Sequence, residues 1–306
     1  MNVLSLFSGI SAASVALKPL GWKVVAFSEI APFPCSVLAH RYPNVPNLGD
    51  VTKITESQVK ALGHIDIVVF GSPCQDLSVA GNRAGLAGAR SGLFHDAVKI
   101  LEWSDARFGL WENVPGAFSS SGGRDFSVAL ADLMGRREPS VPPGGWGREG
   151  AATGPKRMVE WATLDAQWFG VAQRRRRVLA LADSGNWYGR SPVLLEPEVL
   201  RGSAAPSRES QKDNSGSTGD GVARCLTTGE AKRQDWETCN FVVDRGKARR
   251  LTPRECERLQ GFPDDYTLVP HRGKPAADGP RYHALGNSMA VPVLNWVGRS
   301  LERALA

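Results

Sequence analysis

Cys74 is the side chain of this sequence that is best placed for nucleophilic chemistry. It stands in Gly-Ser-Pro-Cys-Gln, at residues 71–75, directly after the apolar run 65–70. Because proline removes a donor from the hydrogen-bond ladder of a strand, the run must end here and leave the thiol at a strand-to-loop junction. A thiolate is a strong nucleophile. The common alternative is a cysteine that packs as a small apolar side chain, but the flanking residues favour the nucleophile.

Polar residues also follow other short apolar runs, at Ser8-Gly9, Ser28-Glu29 and Glu112-Asn113. We predict strands at 3–7, 23–27, 65–70, 107–111 and 177–181. Apolar runs that alternate with helical stretches are typical of a mostly parallel sheet with both faces covered. Ligands of such sheets bind outside the carboxyl ends of the strands. The sequence therefore predicts an α/β fold with a doubly wound sheet and one site that gathers these polar residues.

Two stretches differ from the rest of the chain. Residues 139–156 are rich in glycine and proline, which predicts an irregular loop. Residues 202–221 are rich in serine, glycine and charge, which predicts a linker or mobile loop. Regular patterning returns at Thr252 and Pro253, a good N-cap and a good first helical residue. Together with the length, this predicts one large domain or two unequal ones.

The composition indicates in which cellular compartment the protein works and what kind of partner it binds. The 306 residues carry a net charge of +6, which suits a polyanion such as nucleic acid. Five widely spaced cysteines without a Cys-x-x-Cys pair favour a reducing compartment and disfavour a structural zinc site. The sequence has neither a run of about 20 apolar residues nor a basic region before an apolar stretch. We therefore expect no membrane span, no secretory signal and a cytoplasmic location.

Five motifs resemble, in order along the chain, those of the cytosine-5 DNA methyltransferase family. They are Gly-Ser-Pro-Cys-Gln at 71–75, Glu-Asn-Val at 112–114, Gln-Arg-Arg-Arg-Arg at 173–177, Arg-Leu-Thr-Pro-Arg-Glu at 250–255 with Leu-Gln-Gly-Phe-Pro at 259–263, and His-Ala-Leu-Gly-Asn-Ser at 283–288. One such motif would be a weak signal, whereas five in family order are very improbable by chance. The resemblance covers nearly the whole chain except the stretch around 185–247.

The resemblance implies covalent catalysis. Cys74 would add to carbon 6 of cytosine and make carbon 5 able to attack a methyl donor, which splits one hard step into easier ones. Glu112 would donate or share a proton at ring nitrogen 3. Arg175 and Arg177 match the two arginines of the family's Gln-x-Arg-x-Arg motif and would hold the base carbonyl. The ordinary alternatives are a capping carboxylate for Glu112 and a solvated or phosphate-binding basic face for the arginines.

The resemblance also implies S-adenosylmethionine as the cofactor, with S-adenosylhomocysteine as its product, and no metal. The turn after the first run resembles the family's Phe-x-Gly turn, with Ser11 in place of a second glycine and Ser5 in place of an acid. Glu29 has the spacing of a carboxylate that holds ribose hydroxyls. A turn without Gly-x-Gly-x-x-Gly lacks a pyrophosphate cradle, which disfavours NAD. The residues implied to contact the cofactor are Phe7, Ser8, Gly9, Ile10, Glu29, Ile30, Asp50, Val51, Pro73, Leu93, Asn287 and Ser288.

Double-stranded DNA is the implied substrate, and its target base must leave the stack before a thiol can reach it. The family keeps its variable target-recognition segment where this chain has residues 185–247. We predict a catalytic and cofactor-binding domain at 1–184, completed by 281–306, and a target-recognition domain at 185–280. We expect a monomer in a prokaryotic or phage-infected cell. The basic and aromatic residues that suit contact with DNA are Trp187, Arg190, Arg201, Arg208, Lys212, Arg224, Lys232, Arg233 and Trp236.

Three other functions stay open. An RNA cytosine-5 methyltransferase would use similar residues, and a comparison of binding and activity on duplex DNA and transfer RNA would separate the two. A catalytically inert DNA-binding homologue is disfavoured because Cys74, Glu112 and Arg175 occur together. A cysteine hydrolase would need a histidine near Cys74, and His283 is the single histidine in the matched motifs. For a methyltransferase, the roles of restriction companion, phage self-protection and solitary regulation all fit.

Overall fold

A seven-stranded sheet forms the centre of the part of the chain that the computed structural model describes, which is residues 1–73, 92–135, 138–195, 222–228, 240–244 and 247–306. The strands are β1 (Asn2–Leu6), β2 (Lys23–Ser28), β3 (Ile67–Phe70), β4 (Phe108–Asn113), β5 (Glu149–Thr153), β6 (Met158–Asp165) and β7 (Arg176–Asp183). The five strands predicted from apolar runs are confirmed as β1, β2, β3, β4 and β7.

The described strands are ordered β2-β1-β3-β4-β7-β6-β5 across the sheet. Strands β2, β1, β3 and β4 pair in parallel, whereas β4–β7, β7–β6 and β6–β5 are antiparallel pairs. Five of these seven described strands therefore share one direction, which confirms the predicted mostly parallel sheet. Because β1 lies between β2 and β3, the strand order reverses beside it, and ligands of open α/β sheets bind at such a reversal.

Helices cover both faces of the sheet, and successive strand residues alternate between the faces. On β3, for example, Ile67 and Val69 belong to one core, and Val68 and Phe70 to the other. Helices α1, α2, α6, α7 and α8 contribute to the first core, and α3, α4 and α5 to the second. The described helices are α1 (Ala12–Leu17), α2 (Pro32–Arg41), α3 (Glu56–Ala61), α4 (Gly92–Trp103), α5 (Arg124–Met134), α6 (Pro253–Gln260), α7 (Asp278–Asn287) and α8 (Val291–Leu305).

Helix α6 begins as its sequence predicts. The Thr252 side chain accepts from the Glu255 amide, the Glu255 side chain accepts from the Thr252 amide, and Pro253 is the first helical residue. Two short antiparallel hairpins flank α6, one of β8 (Phe241–Asp244) and β9 (Lys247–Arg250), the other of β10 (Pro270–His271) and β11 (Lys274–Pro275). Among the residues described, no helix has both the length and the apolar character needed to cross a membrane.

The prediction of an irregular loop at 139–156 is wrong at its C-terminal end, because β5 covers Glu149–Thr153. β5 is the edge strand of the described sheet, and exposed residues alternate with half-buried ones along it. β5 gives no strand signal in the sequence, because Glu-Gly-Ala-Ala-Thr contains no large apolar side chain. Gly150 packs so closely on β6 that a Cβ there would come within 2.4 Å of the Trp161 ring, a contact that glycine allows.

The C-terminal helix α8 packs against α1, the helix that follows β1. Asn295 Nδ2 donates to the carbonyl oxygen of Ala16 at 2.7 Å, and the Trp22 indole nitrogen donates to Glu302 at 2.8 Å. α8 is therefore fastened to the stretch that leads from the end of α1 into β2, next to the amino end of β1, because Lys23 at the start of β2 pairs with Asn2.

Candidate active site

The carboxyl ends of β1, β3 and β4 lie side by side because these strands are parallel neighbours. β7 is antiparallel to β4, so its first residues reach the same edge of the sheet. Glu112 pairs in register with Leu179, and Arg177 lies two residues before Leu179 on the same face. The strand register therefore makes the side chains of Glu112 and Arg177 diagonal neighbours.

Glu112 and Arg177 form an ion pair, with 3.1 Å between Arg177 Nε and Glu112 Oε1. Their side chains are 15% and 19% exposed, so both charges are largely removed from water yet open to a ligand. Gly71, which follows β3, packs against the same carboxylate: a Cβ at position 71 would lie 3.2 Å from Glu112 Oε2. The Glu112 carboxylate is therefore held between a guanidinium and the end of β3.

Arg175 is buried, and its guanidinium bonds to the protein itself. It donates to the carbonyl oxygens of Leu226, Gly286 and Ser288 at 3.1, 3.1 and 2.5 Å. Burial, followed by the nearby charge of Arg177, lowers the pKa of Arg175 to about 10, so the side chain stays charged at neutral pH. Arg175 therefore ties the segment around Leu226 to the link between α7 and α8.

Gln173 makes a second tie to the same segment. It is fully buried; its Oε1 accepts from the Leu226 amide and its Nε2 donates to the Leu259 carbonyl, both at 2.9 Å. The neighbouring Cys225 places its Sγ 3.3 Å from Arg175 Nη1. The sequence analysis missed Cys225, because its spacing from the arginines carries no signal that they meet.

The turn after β1 contains three residues with positive φ: Phe7 at 50°, Gly9 at 53° and Ser11 at 59°. This left-handed backbone is strained for Phe7 and Ser11 and persists because hydrogen bonds hold it. Ser8 Oγ donates to the Ser5 carbonyl, and the Ser11 amide donates to the Ser8 carbonyl, both at 2.8 Å. Gly9 borders open space, with nothing within 4 Å of where its Cβ would be. The turn therefore lets a ligand approach its backbone.

The Glu29 carboxylate reaches this turn. Its Oε2 accepts from the Gly9 amide at 2.7 Å, and its Oε1 accepts from the amides of Ile30 and Ala31 at 2.8 and 2.7 Å. Each carboxylate oxygen has two acceptor sites, so Oε2 keeps one for a further donor. Asn47, which the sequence analysis missed, fixes the Glu29 backbone by accepting from its amide and donating to its carbonyl, both at 3.0 Å.

Ile10 and Ile30, two further predicted positions, differ in exposure. Ile30 is 69% exposed and directly follows Glu29, so its side chain is open to a ligand. The Ile10 side chain is fully buried in the core, so only the backbone of Ile10 is part of the turn surface. The Ile10 carbonyl accepts a hydrogen bond from the Tyr266 hydroxyl at 2.7 Å.

Asp50 and Val51 lie close to the end of β2, because the Ser28 hydroxyl donates to the Gly49 carbonyl at 2.7 Å. The Asp50 carboxylate caps the short 3-10 turn that begins at Val51. The hydroxyl and the amide of Thr52 donate to this carboxylate and lower the pKa of Asp50. The Asp50 side chain is therefore fixed as an anion at the rim of the site.

Two clefts meet at Glu112. The first, of about 420 Å³, lies between the turn after β1 and residues 287–289. It is lined by the predicted residues Phe7, Ser8, Gly9, Asn287 and Ser288, together with Glu112 and Met289. The second, of about 270 Å³, is lined by Glu112, Arg175, Arg177, Met289 and apolar residues of β6, β7 and α8. Met289, which the sequence analysis missed, therefore borders both clefts.

Cys74, the predicted nucleophile, lies outside the described residues. Ser72, two residues before it, is buried, and its hydroxyl accepts from the Trp111 indole at 3.1 Å. This bond anchors the chain before Cys74 to β4. Seven of the twelve residues predicted to contact the cofactor are not among those that line the first cleft: Ile10, Glu29, Ile30, Asp50, Val51, Pro73 and Leu93.

The residues predicted to face DNA are described only in part. The Arg190 side chain is 4% exposed and pairs with Glu160 and Asp183 at 2.9 and 2.7 Å, so it anchors the chain to the sheet instead of facing a DNA groove. Trp187 opens a short 3-10 turn, and Arg224 is half-buried. Outside the described residues lie Arg201, Arg208, Lys212, Lys232, Arg233, Trp236 and the predicted linker 202–221.

The arrangement suits acid–base chemistry at a ligand that spans the two clefts. The Glu112 carboxylate can hold a proton at a ligand atom, while Arg177 offers a positive charge beside it. In the described part of the chain, no group of three or more His, Cys, Asp or Glu side chains is placed to hold a metal ion. Glu112 and Arg177 by themselves support proton transfer and electrostatic stabilisation.

Residues 1–135 and 195–303 match the family model of the C-5 cytosine-specific DNA methylases. The chain is 30% identical, over 460 aligned residues, to a DNA N-6-adenine-methyltransferase of Escherichia phage P1; the match covers 98% of this chain and 61% of that protein. It is 29% identical, over 337 residues, to the type II methyltransferase M2.BsuMI of Bacillus subtilis, covering 99% of this chain and 76% of that protein. The chain thus spans less than two thirds of the phage protein.

A solved structure of the Entamoeba histolytica methyltransferase EhMeth superposes on this chain with a TM-score of 0.71. The superposition covers 100% of this chain and 99% of that one, at 14% sequence identity. At this identity, the likeness shows a shared fold.

Proposed function

We propose that this chain, which belongs to the C-5 cytosine-specific DNA methylase family, transfers a methyl group from S-adenosylmethionine to carbon 5 of a cytosine in duplex DNA. One observation carries the proposal beyond family membership. The Glu112–Arg177 pair lies where the two clefts meet, against Gly71. Cys74 follows Gly71 by three residues, and three residues span about 11 Å at most. This short connection supports a site in which the nucleophile, the acid and the guanidinium act on one bound base.

The first cleft fits the cofactor. It is lined by the backbone of the turn after β1 and by the polar residues Asn287 and Ser288, and a few well-placed polar groups are what fix the orientation of a small molecule in its site. Glu29 Oε2 keeps an acceptor site for a ribose hydroxyl, and a turn with a single glycine suits a ligand without phosphate. When bound, S-adenosylmethionine supplies an electrophilic methyl group. The residues proposed to hold it are Phe7, Ser8, Gly9, Ile10, Glu29, Ile30, Asp50, Val51, Pro73, Leu93, Asn287 and Ser288.

Cys74 activates the base. Its thiolate forms a bond to carbon 6, and the electron pair of the 5,6 double bond makes carbon 5 nucleophilic. Once carbon 5 carries its methyl group, a base removes the carbon-5 proton. The electron pair of that bond restores the 5,6 double bond and expels the thiolate, so Cys74 is regenerated.

Glu112 and Arg177 stabilise the charge that forms on the ring. Glu112 shares a proton with ring nitrogen 3, so the electron pair pushed into the ring by the thiolate is not left as a free anion. Arg177 holds the base carbonyl and keeps the charge of Glu112 paired before the base arrives. Their ion pair at 3.1 Å supports this proposal, because it holds both groups at one wall of the clefts.

We also propose that Arg175 belongs to the site, and its hydrogen bonds to the protein backbone favour a structural role there. Its guanidinium lines the second cleft but donates to the carbonyls of Leu226, Gly286 and Ser288. By holding Ser288, Arg175 keeps the wall between the two clefts in place. We therefore place Arg177, and not Arg175, nearest to the reacting ring.

The substrate is proposed to be double-stranded DNA with the target cytosine turned out of the stack, because a thiol cannot reach carbon 6 of a stacked base. We propose two domains, one formed by residues 1–184 and 281–306 and the other by residues 185–280, with DNA bound between them. Phe262 and Tyr266, which belong to residues 185–280, pack in the first core of the sheet. This packing joins the two proposed domains. The protein is proposed to act as a monomer in the cytoplasm of a prokaryotic or phage-infected cell.

A second candidate is adenine methylation, because the phage P1 relative is named as an N-6-adenine enzyme. Part of that relative lies outside the match, so its name does not say which part acts on adenine. An exocyclic amine is itself a nucleophile and needs no cysteine adduct. A cysteine three residues after Gly71 in the sequence therefore favours cytosine.

The test is to incubate the enzyme with labelled S-adenosylmethionine and either duplex DNA or transfer RNA, and to identify the methylated nucleoside by mass spectrometry. We expect 5-methylcytosine, no product from Cys74→Ser, and DNA binding by that variant close to wild type. A duplex with 5-fluorocytosine should trap a covalent complex, because fluorine cannot leave as a proton does. N6-methyladenine as the product, or full turnover by Cys74→Ser, would contradict the proposal; transfer RNA as the preferred substrate would replace DNA.

A further inference from the structure

Tyr266 joins the segment after α6 to the turn after β1. Its hydroxyl donates to the carbonyl oxygen of Ile10 at 2.7 Å, across 256 positions of the sequence. Tyr266 is 5% exposed, so water cannot easily replace this bond. A buried carbonyl that loses its donor carries a free-energy cost, so the contact has consequences for the turn.

A second tyrosine completes the arrangement. The hydroxyls of Tyr42 and Tyr266 are 3.1 Å apart. A carbonyl can only accept, so the Tyr266 proton is used on Ile10, and Tyr42 must donate to Tyr266. Burial raises the pKa of Tyr266, which keeps its hydroxyl protonated as the turn requires. Tyr266 is therefore a fixed neutral donor.

The Tyr266 ring is held from several sides. Arg41 Nε donates to the Tyr266 carbonyl at 3.0 Å, and the Arg41 guanidinium lies over the ring, 5.2 Å from its centre. The Phe262 ring packs against it at 4.8 Å between centroids. Because its backbone and ring are both fixed, the hydroxyl points to one place.

The peptide unit between Ile10 and Ser11 is the part of the turn that this bond controls. Its carbonyl end accepts from Tyr266, and its amide end donates to the Ser8 carbonyl at 2.8 Å. The orientation of this unit sets φ of Ser11, which is 59° and strained for a residue with a Cβ. The bond from the Tyr266 hydroxyl is therefore one of two hydrogen bonds that hold this unit in the orientation that the turn requires.

From this geometry we infer that Tyr266 is a positioning residue for the cofactor, holding the turn Phe7–Ser11 in its binding conformation from the opposite end of the sequence. The inference rests on the proposed function, since it takes the first cleft as the S-adenosylmethionine site. Tyr266 does not line that cleft, so it acts through the Ile10 carbonyl and not by touching the ligand.

The experiment measures binding of S-adenosylhomocysteine by calorimetry in the absence of DNA, with Tyr266→Phe compared to the wild-type chain. Loss of one buried hydrogen bond should raise the dissociation constant about five- to twenty-fold. Turnover at saturating S-adenosylmethionine should stay near wild type, so KM for the cofactor changes and kcat does not.

Tyr282→Phe is the matched control, because the Tyr282 hydroxyl also donates to a backbone carbonyl, that of Leu251, at 2.6 Å. We expect a similar loss of thermal stability and an unchanged dissociation constant. Wild-type affinity in Tyr266→Phe, or equal weakening in both variants, would overturn the inference while leaving the proposed methyl transfer standing. Tight binding by the wild type without cytosine methylation would overturn the proposed function alone, and no binding by the wild type would overturn both.

Discussion

At the scale of single residues, the Glu112–Arg177 pair is the feature on which the proposed chemistry depends. Both side chains are largely buried, at 15% and 19% exposure, so neither charge is well solvated. Removing one partner from such a pair leaves the other uncompensated, which costs more than the pair itself contributes. The pair therefore ties the acid to one position, at the wall that both clefts share.

Glu112→Gln removes the ionisable carboxyl group and keeps the size of the side chain, so it tests the proposed acid. The amide keeps the size of the side chain but cannot give its proton to ring nitrogen 3, so kcat should fall by about a hundredfold or more. Affinity for S-adenosylhomocysteine should stay close to wild type in calorimetry, because the side chain volume at the first cleft is unchanged. Glu149→Gln, at an exposed carboxylate on the far edge of the sheet, is the control. Wild-type kcat in Glu112→Gln would remove Glu112 from the mechanism.

At the scale of elements, the segment that carries Leu226 is docked by backbone bonds between Ala223 and residues 172–174 and by three further contacts. Gln173 and Arg175 bond its backbone, and Gly286 of α7 packs directly on Thr227. A Cβ at position 286 would lie 2.5 Å from the Thr227 carbonyl carbon, a distance that backbone atoms cannot accommodate in place. The absence of a side chain at 286 is therefore what lets this segment lie on α7.

Gly286→Ala should move the segment or destabilise the chain. Overpacking at such a contact costs about 1–3 kcal/mol, and the displaced segment should weaken binding to duplex DNA. Gly279→Ala, in the same helix with nothing within 4 Å of its Cβ position, should leave the stability unchanged or raise it by less than about 1 kcal/mol. Urea unfolding and DNA titration compare the two variants; equal stability and equal DNA affinity would show that the contact at Gly286 is unimportant.

At the scale of the whole molecule, the sheet separates two cores, and the C-terminal helix closes one of them. Leu294, Val297 and Leu301 of α8 are 2% exposed or less and belong to the core that also holds α1 and α2. The turn after β1 leads directly into α1. The stability of the proposed cofactor site therefore depends on residues near the other end of the chain.

Leu301→Ala measures this dependence. Leu301 is fully buried, so its truncation should lower the free energy of unfolding by about 2–5 kcal/mol. Leu305→Ala, in the last turn of the same helix at 37% exposure, should change it by less than about 0.5 kcal/mol. Denaturant unfolding gives both values, and similar losses in the two variants would mean that α8 does not close the core as described.

The local chemistry of the chain made much of the fold predictable. Five apolar runs predict five of the described strands because continuous apolar segments suit strands that are buried on both faces. Thr252 and Pro253 predict the start of α6 because capping depends on neighbours in sequence. β5 was not predicted, because it is an edge strand of small residues that are not fully buried and therefore has no continuous apolar run. The site at Glu112, Arg175 and Arg177 was implied by the resemblance of their motifs to those of the cytosine-5 DNA methyltransferase family, and not by the apolar runs beside them.

The sequence by itself determined the kinds of groups at the site and the strand ends that carry them, because those depend on residues close together in the chain. Only the tertiary structure decided which groups meet. Strand register paired Glu112 with Arg177, whereas Arg175 was turned toward Leu226 and Ser288. Tyr266, Asn47 and Met289 joined the site through contacts between distant segments. Such contacts depend on how helices and strands pack in three dimensions, and no local pattern of residues records them.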